Sequence, residues 1–379
     1  MTETNEGVAS APAVEPPIWI THGEFGKRFF REAVTIGRIE DALAGMTGKG
    51  IKIGPVEIGP AGMAGFVAEG SVGEPTITPH PGEEVSYDLV VPASLSIVLR
   101  LGQEIRLQVG VEINLVLAAR PAAPLRIVIE IPKITHRDVK LVFRAEALGA
   151  MWQWLLEPMG EVIRREVATR LNAMLSEADS MRGRIVDVAA RINDTKENTD
   201  LNVEWITYDQ FGERFFREAV TEQRIMENVS DLAGRQVDIG PLKAGPRGVA
   251  EVTANGQVRE PVVTARQGGE FVSLDLVIPL GLDLVIAMGK DNRYEAAIDI
   301  PLVLTARPAD PLVVVVEVTP PTAEEVAIEL KAKGLRASFL GVVGGVKNEI
   351  AEQVASTVSE EVGDRTSRRV DIAERISGA

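Results

Sequence analysis

Acid–base, nucleophilic and metal chemistry draw mainly on histidine, cysteine and paired carboxylates. This sequence offers three histidines and no cysteine. The lack of cysteine excludes a thiol nucleophile, a thiolate zinc site, iron–sulfur ligation and a disulfide framework. His22 gives way to Tyr208 in the second of two internal copies, His80 lies in a proline-rich turn, and His136 has no ligand-spaced partner. Each is read as a surface or hydrogen-bonded histidine. Glu157 and Glu161 stand one helical turn apart, a spacing common on solvated helix faces. Asp88 and Asp275 recur in both copies and are read as solvated or locally hydrogen-bonded. Gly45-Met46-Thr47-Gly48-Lys49-Gly50 has the glycines and lysine of a phosphate loop. It lacks that loop's spacing, the hydroxyl after the lysine and a preceding strand. The sequence contains no GxSxG and no HExxH. The expectation is a non-enzymatic protein with no catalytic residue, metal or cofactor.

The elements that would carry any site are written twice. Residues 19–35 read WITHGEFGKRFFREAVT and residues 205–221 read WITYDQFGERFFREAVT, with 13 of 17 positions identical. Ile53-Gly54-Pro55 returns as Ile239-Gly240-Pro241, Leu115–Leu125 as Leu302–Leu312, and Arg184–Ile192 as Arg368–Ile376. A period this long marks duplicated domains, since solenoid repeats run about 20–50 residues. The expected division is a tail over 1–17, a first domain over 18–193, a connector over 194–203 and a second domain over 204–379.

The 379 residues are 45% hydrophobic, enough for packed cores. With 40 basic and 55 acidic side chains the net charge is −15, and aromatics are only 4%. Both figures argue against nucleic acid or an anionic membrane surface as the main partner. The first 17 residues have neither a basic nor an apolar signal region and are expected to be disordered. No apolar run reaches the roughly 18 residues of a transmembrane helix. The expected location is the cytoplasm.

Within each copy, Thr21-x-x-Glu24 and Thr207-x-x-Gln210 are capping boxes that open a helix. Phe25, Phe29, Ala33, Ile36 and Leu43 continue one helical stripe, matched by Phe211, Phe215, Ala219 and Val229. Gly/Pro-punctuated extended chain follows over 51–78 and 237–264. Period two then dominates, with Leu107, Val109, Val111, Ile113, Leu115 and Leu117 on one face. Tyr294, Ala296, Ile298, Ile300, Leu302 and Leu304 repeat the pattern. Flanking strands are expected over Leu95–Leu101, Leu125–Ile131 and Val139–Ala145, and over Asp283–Met288, Leu312–Val318 and Val326–Ala332. Lys290-Asp291-Asn292-Arg293 is expected as a hairpin turn. Long helices close the copies over Leu148–Leu175 and Leu335–Val362. The first carries Leu148, Trp152, Leu155, Met159, Val162, Val167, Leu171 and Met174 on one face. The second carries Leu335, Phe339, Val342, Val346, Ile350, Val354 and Val358. Trp154–Pro158 aligns with Gly341–Gly345, where small residues allow either close backbone approach or room for a ligand.

This order of elements gives an α+β fold class: two homologous domains, each a long curved antiparallel sheet packed around long N- and C-terminal helices. It resembles the tubular lipid-binding (TULIP-like) superfamily over about Trp19–Ile192 and Trp205–Ile376. The resemblance implies an apolar channel between sheet and helix that binds or carries a lipid or similar elongated hydrophobic molecule. The expected liners are Phe29, Leu99, Val111, Ile113, Trp152, Leu155 and Met159 in the first copy. In the second they are Phe215, Ile286, Ile298, Ile300, Phe339, Val342, Val343 and Val346. The alternative is a scaffold of the same fold with filled cores and a protein partner.

Overall fold

A computed structural model shows two similar α+β domains, each built on a curled antiparallel sheet with helices. It describes residues 16–58, 64–82, 84–144, 153–198, 200–244, 250–287, 291–333, 343–362 and 368–377. The first copy runs α1 (His22–Ala33), α2 (Ile36–Leu43), β1 (Gly50–Ile58), β2 (Ala64–Val72), β3 (Thr76–Pro79), β4 (Ser86–Leu101), β5 (Gln103–Ala122), β6 (Arg126–Glu130) and β7 (Val139–Arg144). It ends in α3 (Gln153–Leu175), α4 (Ala178–Arg182), β8 (Ile185–Asp187) and α5 (Val188–Asn193). The second runs α6 (Tyr208–Ala219), α7 (Glu222–Val229), β9 (Gln236–Ala244), β10 (Ala250–Val258), β11 (Val262–Ala265), β12 (Val272–Ala287), β13 (Asp291–Ala309), β14 (Val313–Thr319) and β15 (Ala327–Ala332). It closes with α8 (Val343–Glu361), β16 (Arg369–Asp371) and α9 (Ile372–Ser377).

The single opening stripe is two helices in each copy. Thr221 is extended and its side chain accepts the Arg224 amide at 3.3 Å, capping α7; Thr35 accepts the Arg38 amide at 3.4 Å. A capping threonine with extended backbone ends one helix as it starts the next. The expected capping box of α6 is reciprocal, with Gln210 amide to Thr207 Oγ1 at 3.1 Å and Thr207 amide to Gln210 Oε1 at 3.0 Å.

The longest strands exceed expectation. β4 and β12 run through Pro92 and Pro279, which lack the N–H a ladder needs. Pro92 pairs with Glu112 of β5 on one side. Its other side faces the gap between β2, whose pairing stops at Ala93, and β3, whose pairing starts at Val90. No ladder bond is lost there, and the Pro92 carbonyl accepts the Gly73 amide at 2.7 Å. Pro279 does the same for Arg259 at 2.7 Å. Asp291, Asn292 and Arg293 are not turn residues; they pair with Ala287, Ile286 and Val285 inside the β12–β13 ladder. Lys290 lies outside the described residues.

The long strands change partners along their length. Where β4 pairs β2 and β5 pairs β7, the arc is β1-β2-β4-β5-β7, and α3 packs against both outer strands, β1 and β7. A helix touching both ends of one arc requires the sheet to curl around it. The second copy repeats this with β9-β10-β12-β13-β15 and α8, which packs against β9 and β15. The bulge that bends β1 lies between Ile53 and Val56, at Gly54 with φ +92°; Gly240 at φ +98° marks the same place in β9.

By contacts, the chain groups into His22–Arg214 with residues 376–377, and residues 16–21 with Phe215–Arg375. In the first group α1 and α6 approach closely. A Cβ on Gly26 would overlap the Tyr208 carbonyl oxygen, and one on Gly212 would overlap the His22 carbonyl oxygen. Around this crossing Phe29 lies 5.4 Å from Phe211, and Phe30 lies 5.1 Å from Tyr208 and 5.0 Å from Phe211. In the same group Trp205 bridges to Ala122 under Arg120, whose guanidinium is 4.3 Å from the indole. In the other group Trp19 bridges to Ala309 and Arg307 sits 4.3 Å above it. The polar connector is a strap. Buried Arg126 donates to the carbonyls of Ala123 at 2.6 Å, Asp200 at 2.8 Å and Asn202 at 2.6 Å, and Asp187 accepts the Asn198 amide at 3.0 Å.

Candidate functional site

Period two turns alternate residues of each long strand toward the closing helix. In the first copy Leu99 on β4 and Val111 and Ile113 on β5 are buried on one face, together with Leu95 and Ile97. Met159 of α3 is fully buried. The helix crosses β7 at Gly160, where a Cβ would lie 3.7 Å from Leu141 Cδ1 and Phe143 Cζ. The buried stripe is Met159, Ile163, Val167, Leu171 and Leu175, in steps of four. Val162 and Met174, expected inside, are only half-buried; Ile163 and Leu175 take those places. Leu155 is in α3, Trp152 lies outside the described residues, and Phe29 belongs to the ring cluster between α1 and α6.

In the second copy one apolar cluster joins Ile286, Ile298 and Ile300 of the sheet to Val346, Ile350 and Val354 of α8. This brings four of the expected liners together. Val343 is the first residue of α8, and Phe339 and Val342 lie outside the described residues. Phe215 is buried on α6 with its ring 6.1 Å from Phe216. Gly345 faces solvent, so at that position the glycine serves neither sheet contact nor ligand room.

Two tyrosines are buried on the long strands, Tyr87 on β4 and Tyr294 on β13. Burial pushes the Tyr294 hydroxyl's pKa above its ordinary value, and Tyr294 belongs to the apolar cluster. Burial does the same to Tyr87, which donates to the Val34 carbonyl.

The residues with chemical potential are elsewhere and locally engaged. His80 Nδ1 is 2.9 Å from Asp88 Oδ1, and Arg266 Nε is 2.7 Å from Asp275 Oδ1 at the equivalent site. Glu161 pairs with Arg164 at 3.2 Å and Arg165 at 3.7 Å, while Glu157 is exposed. Arg214, one of the arginines retained between copies, donates to the Pro124 carbonyl at 3.0 Å. Among the described residues no group of three or more His, Asp or Glu side chains is arranged to hold a metal, and no helix is long and apolar enough to cross a membrane.

Cavities at the described residues include one of about 400 Å³ on the polar face of the second sheet. Another, of about 240 Å³, lies beside β14 and the end of α8. None of the expected liners borders either. A pair of sites that the sequence reading missed is the turn before β7 and β15. Thr135 amide and Oγ1 both reach Asp138 Oδ2 at 2.7 Å, and Thr322 amide and Oγ1 reach Glu325 Oε2 at 2.8 and 3.0 Å. The recurring Thr-x-x-acid spacing was their available signal.

No protein family and no curated protein matches the sequence. Among solved structures, the chain is similar to lipopolysaccharide binding protein at 8% identity and a TM-score of 0.26, covering 87% of this chain and 90% of that one. It is similar to P47 of Clostridium botulinum E1 at 8% identity and a TM-score of 0.25, covering 88% and 86%. P47 from Clostridium botulinum A2 follows at 7% identity and a TM-score of 0.21, covering 86% and 83%.

Proposed function

We propose that this chain is a non-enzymatic binding protein for a lipid or other elongated apolar molecule, held between the curled sheet and the closing helix. The observation that carries the reading is the chemistry of the inward faces. Buried polar or charged residues among those described are His22, Arg126 and Asp187, and none lies on β4, β5, β12, β13, α3 or α8. Such faces bury mainly apolar surface, at about 25 cal/mol per Å². Apart from the hydroxyls of Tyr87 and Tyr294, the buried residues described on these elements are apolar, which supports a carrier over an enzyme. The resemblance to the tubular lipid-binding superfamily implies the same use.

A filled scaffold is the second reading. Ile113, Met159, Ile298 and Val346 are each 0% exposed, which favours contact between helix and sheet at those four points. The two readings separate on uptake of a fluorescent fatty acid by the purified full chain. Carriage gives saturable uptake that Met159→Trp and Val346→Trp each reduce by filling one interior. A chain that takes up no probe, or whose uptake is indifferent to both substitutions, is the scaffold.

A further inference from the structure

The 400 Å³ cavity lies on the opposite side of the second sheet from the apolar cluster. Its shape follows from register. Gln236, Gln257, Gly281, Ala297 and Glu329 are successive partners across β9, β10, β12, β13 and β15. The neighbouring row is Asn255, Asp283, Glu295 and Lys331. In the first row the two central positions carry almost no side chain, while long amides stand at one end and a carboxylate at the other. The result is a trough across five strands, about 19 Å at roughly 4.8 Å per strand. Arg259 reaches over its floor: a Cβ on Gly281 would lie 2.7 Å from the guanidinium Nε.

The charges balance. Lys333 holds Asp283 at 2.6 Å and Glu295 at 3.0 Å. Arg259, Lys331 and Glu329 line the trough, and no ion pair or side-chain hydrogen bond engages them among the described residues. A simple anion would meet Glu329 and the excess carboxylate of the Lys333 triad. A simple cation would meet Arg259 and Lys331. A peptide strand would find no free backbone, because the face of a sheet has its amides already in the ladder. What remains is a set of planar amide, carboxylate and guanidinium groups that both donate and accept, spaced along an open channel. The volume is within the roughly 300–1,000 Å³ of small-molecule sites.

We propose that this trough binds a neutral, hydroxyl-rich ligand of the carbohydrate class, on a surface separate from the apolar interior. The duplication supplies an internal comparison. Aligned positions in the first copy are Gly50 for Gln236, Ser71 for Gln257, Gly73 for Arg259, Ser94 for Gly281 and Val142 for Glu329. The first copy keeps the strands and a polar neighbouring row, Glu69, Ser96, Gln108 and Arg144, but has no long amide, guanidinium or carboxylate at the five positions named, so strand geometry alone does not demand those groups.

The test is an array of neutral oligosaccharides spanning α- and β-linked hexoses and N-acetylhexosamines, probed with labelled full chain. Calorimetry then follows on the glycans retained, with inorganic phosphate as the anion control. The expected result is saturable binding of at least one neutral glycan, weakened about tenfold or more by Arg259→Ala and by Glu329→Ala. Gly281→Thr fills the floor and weakens it likewise, while Ser71→Ala in the first copy leaves it unchanged. Unaltered circular dichroism keeps the variants comparable, and the exposed Glu329→Ala carries the test if Gly281→Thr fails to fold. No retained neutral glycan, binding indifferent to these variants, or preference for phosphate overturns the proposal. None of these outcomes bears on the fatty-acid uptake of the interior.

Discussion

Thr135 and Asp138, like Thr322 and Glu325, form a closed hydrogen-bonded turn at the entrance to a short outer strand. Hydrogen bonds from the Thr135 side chain, then its amide, hold the Asp138 carboxyl below its ordinary range; the Thr322 amide, then its side chain, do the same for Glu325. The sign is that of a stabilised anion. Each turn stabilises the fold fully above the unfolded carboxyl value of about 4, and that contribution is lost as pH falls through the lower folded value. Asp138→Asn with Glu325→Gln is therefore expected to lower the urea midpoint at neutral pH, with the deficit closing in acid. Urea unfolding followed across pH 7 to 2 checks this, and a deficit that stays constant across that range contradicts it. Both turns are exposed, so the effect is modest.

At the scale of elements, the meeting of α1 and α6 accounts for why their sequences stayed alike. Gly26 lies against Tyr208 and Gly212 against His22, and those residues are themselves equivalent in the two copies. Each helix thus presents its glycine to the other's first turn. Gly212→Val should force the helices apart and cost about 1–3 kcal/mol, the range for overpacking. Denaturant midpoints of Gly212→Val and of the exposed control Gly37→Ala measure it, and equal midpoints would refute the close-approach account. The duplicated motif was plain in the sequence, and its capping box was read correctly from Thr207 and Gln210. The break at Thr35 was not legible, because the apolar stripe continues across it. Pro92 and Pro279 concealed the true length of β4 and β12, since their tolerance depends on a gap between two other strands. In α3 Val162 and Ile163 are both apolar, and only packing selects Ile163.

Over the whole molecule, alternation along the strands made the buried and exposed faces of β5 and β13 visible in advance. The sheet order, the partner changes of β5 and β13, and the trough at Gly281 were not visible. They depend on which strands are neighbours, and a period of two carries no information about that. The pairing of Trp19 with Ala309 and of Trp205 with Ala122 was equally hidden, because an offset between copies is the same whichever sheet each tryptophan joins. The account as a whole rests on the inward faces admitting a slender apolar guest. Native mass spectrometry of the purified full chain, paired with organic extraction of the same sample, tests that most directly. The account predicts adduct masses that match extracted lipid at near-stoichiometric amounts. A bare polypeptide mass with a lipid-free extract, in a chain that also takes up no added fatty acid, would contradict it.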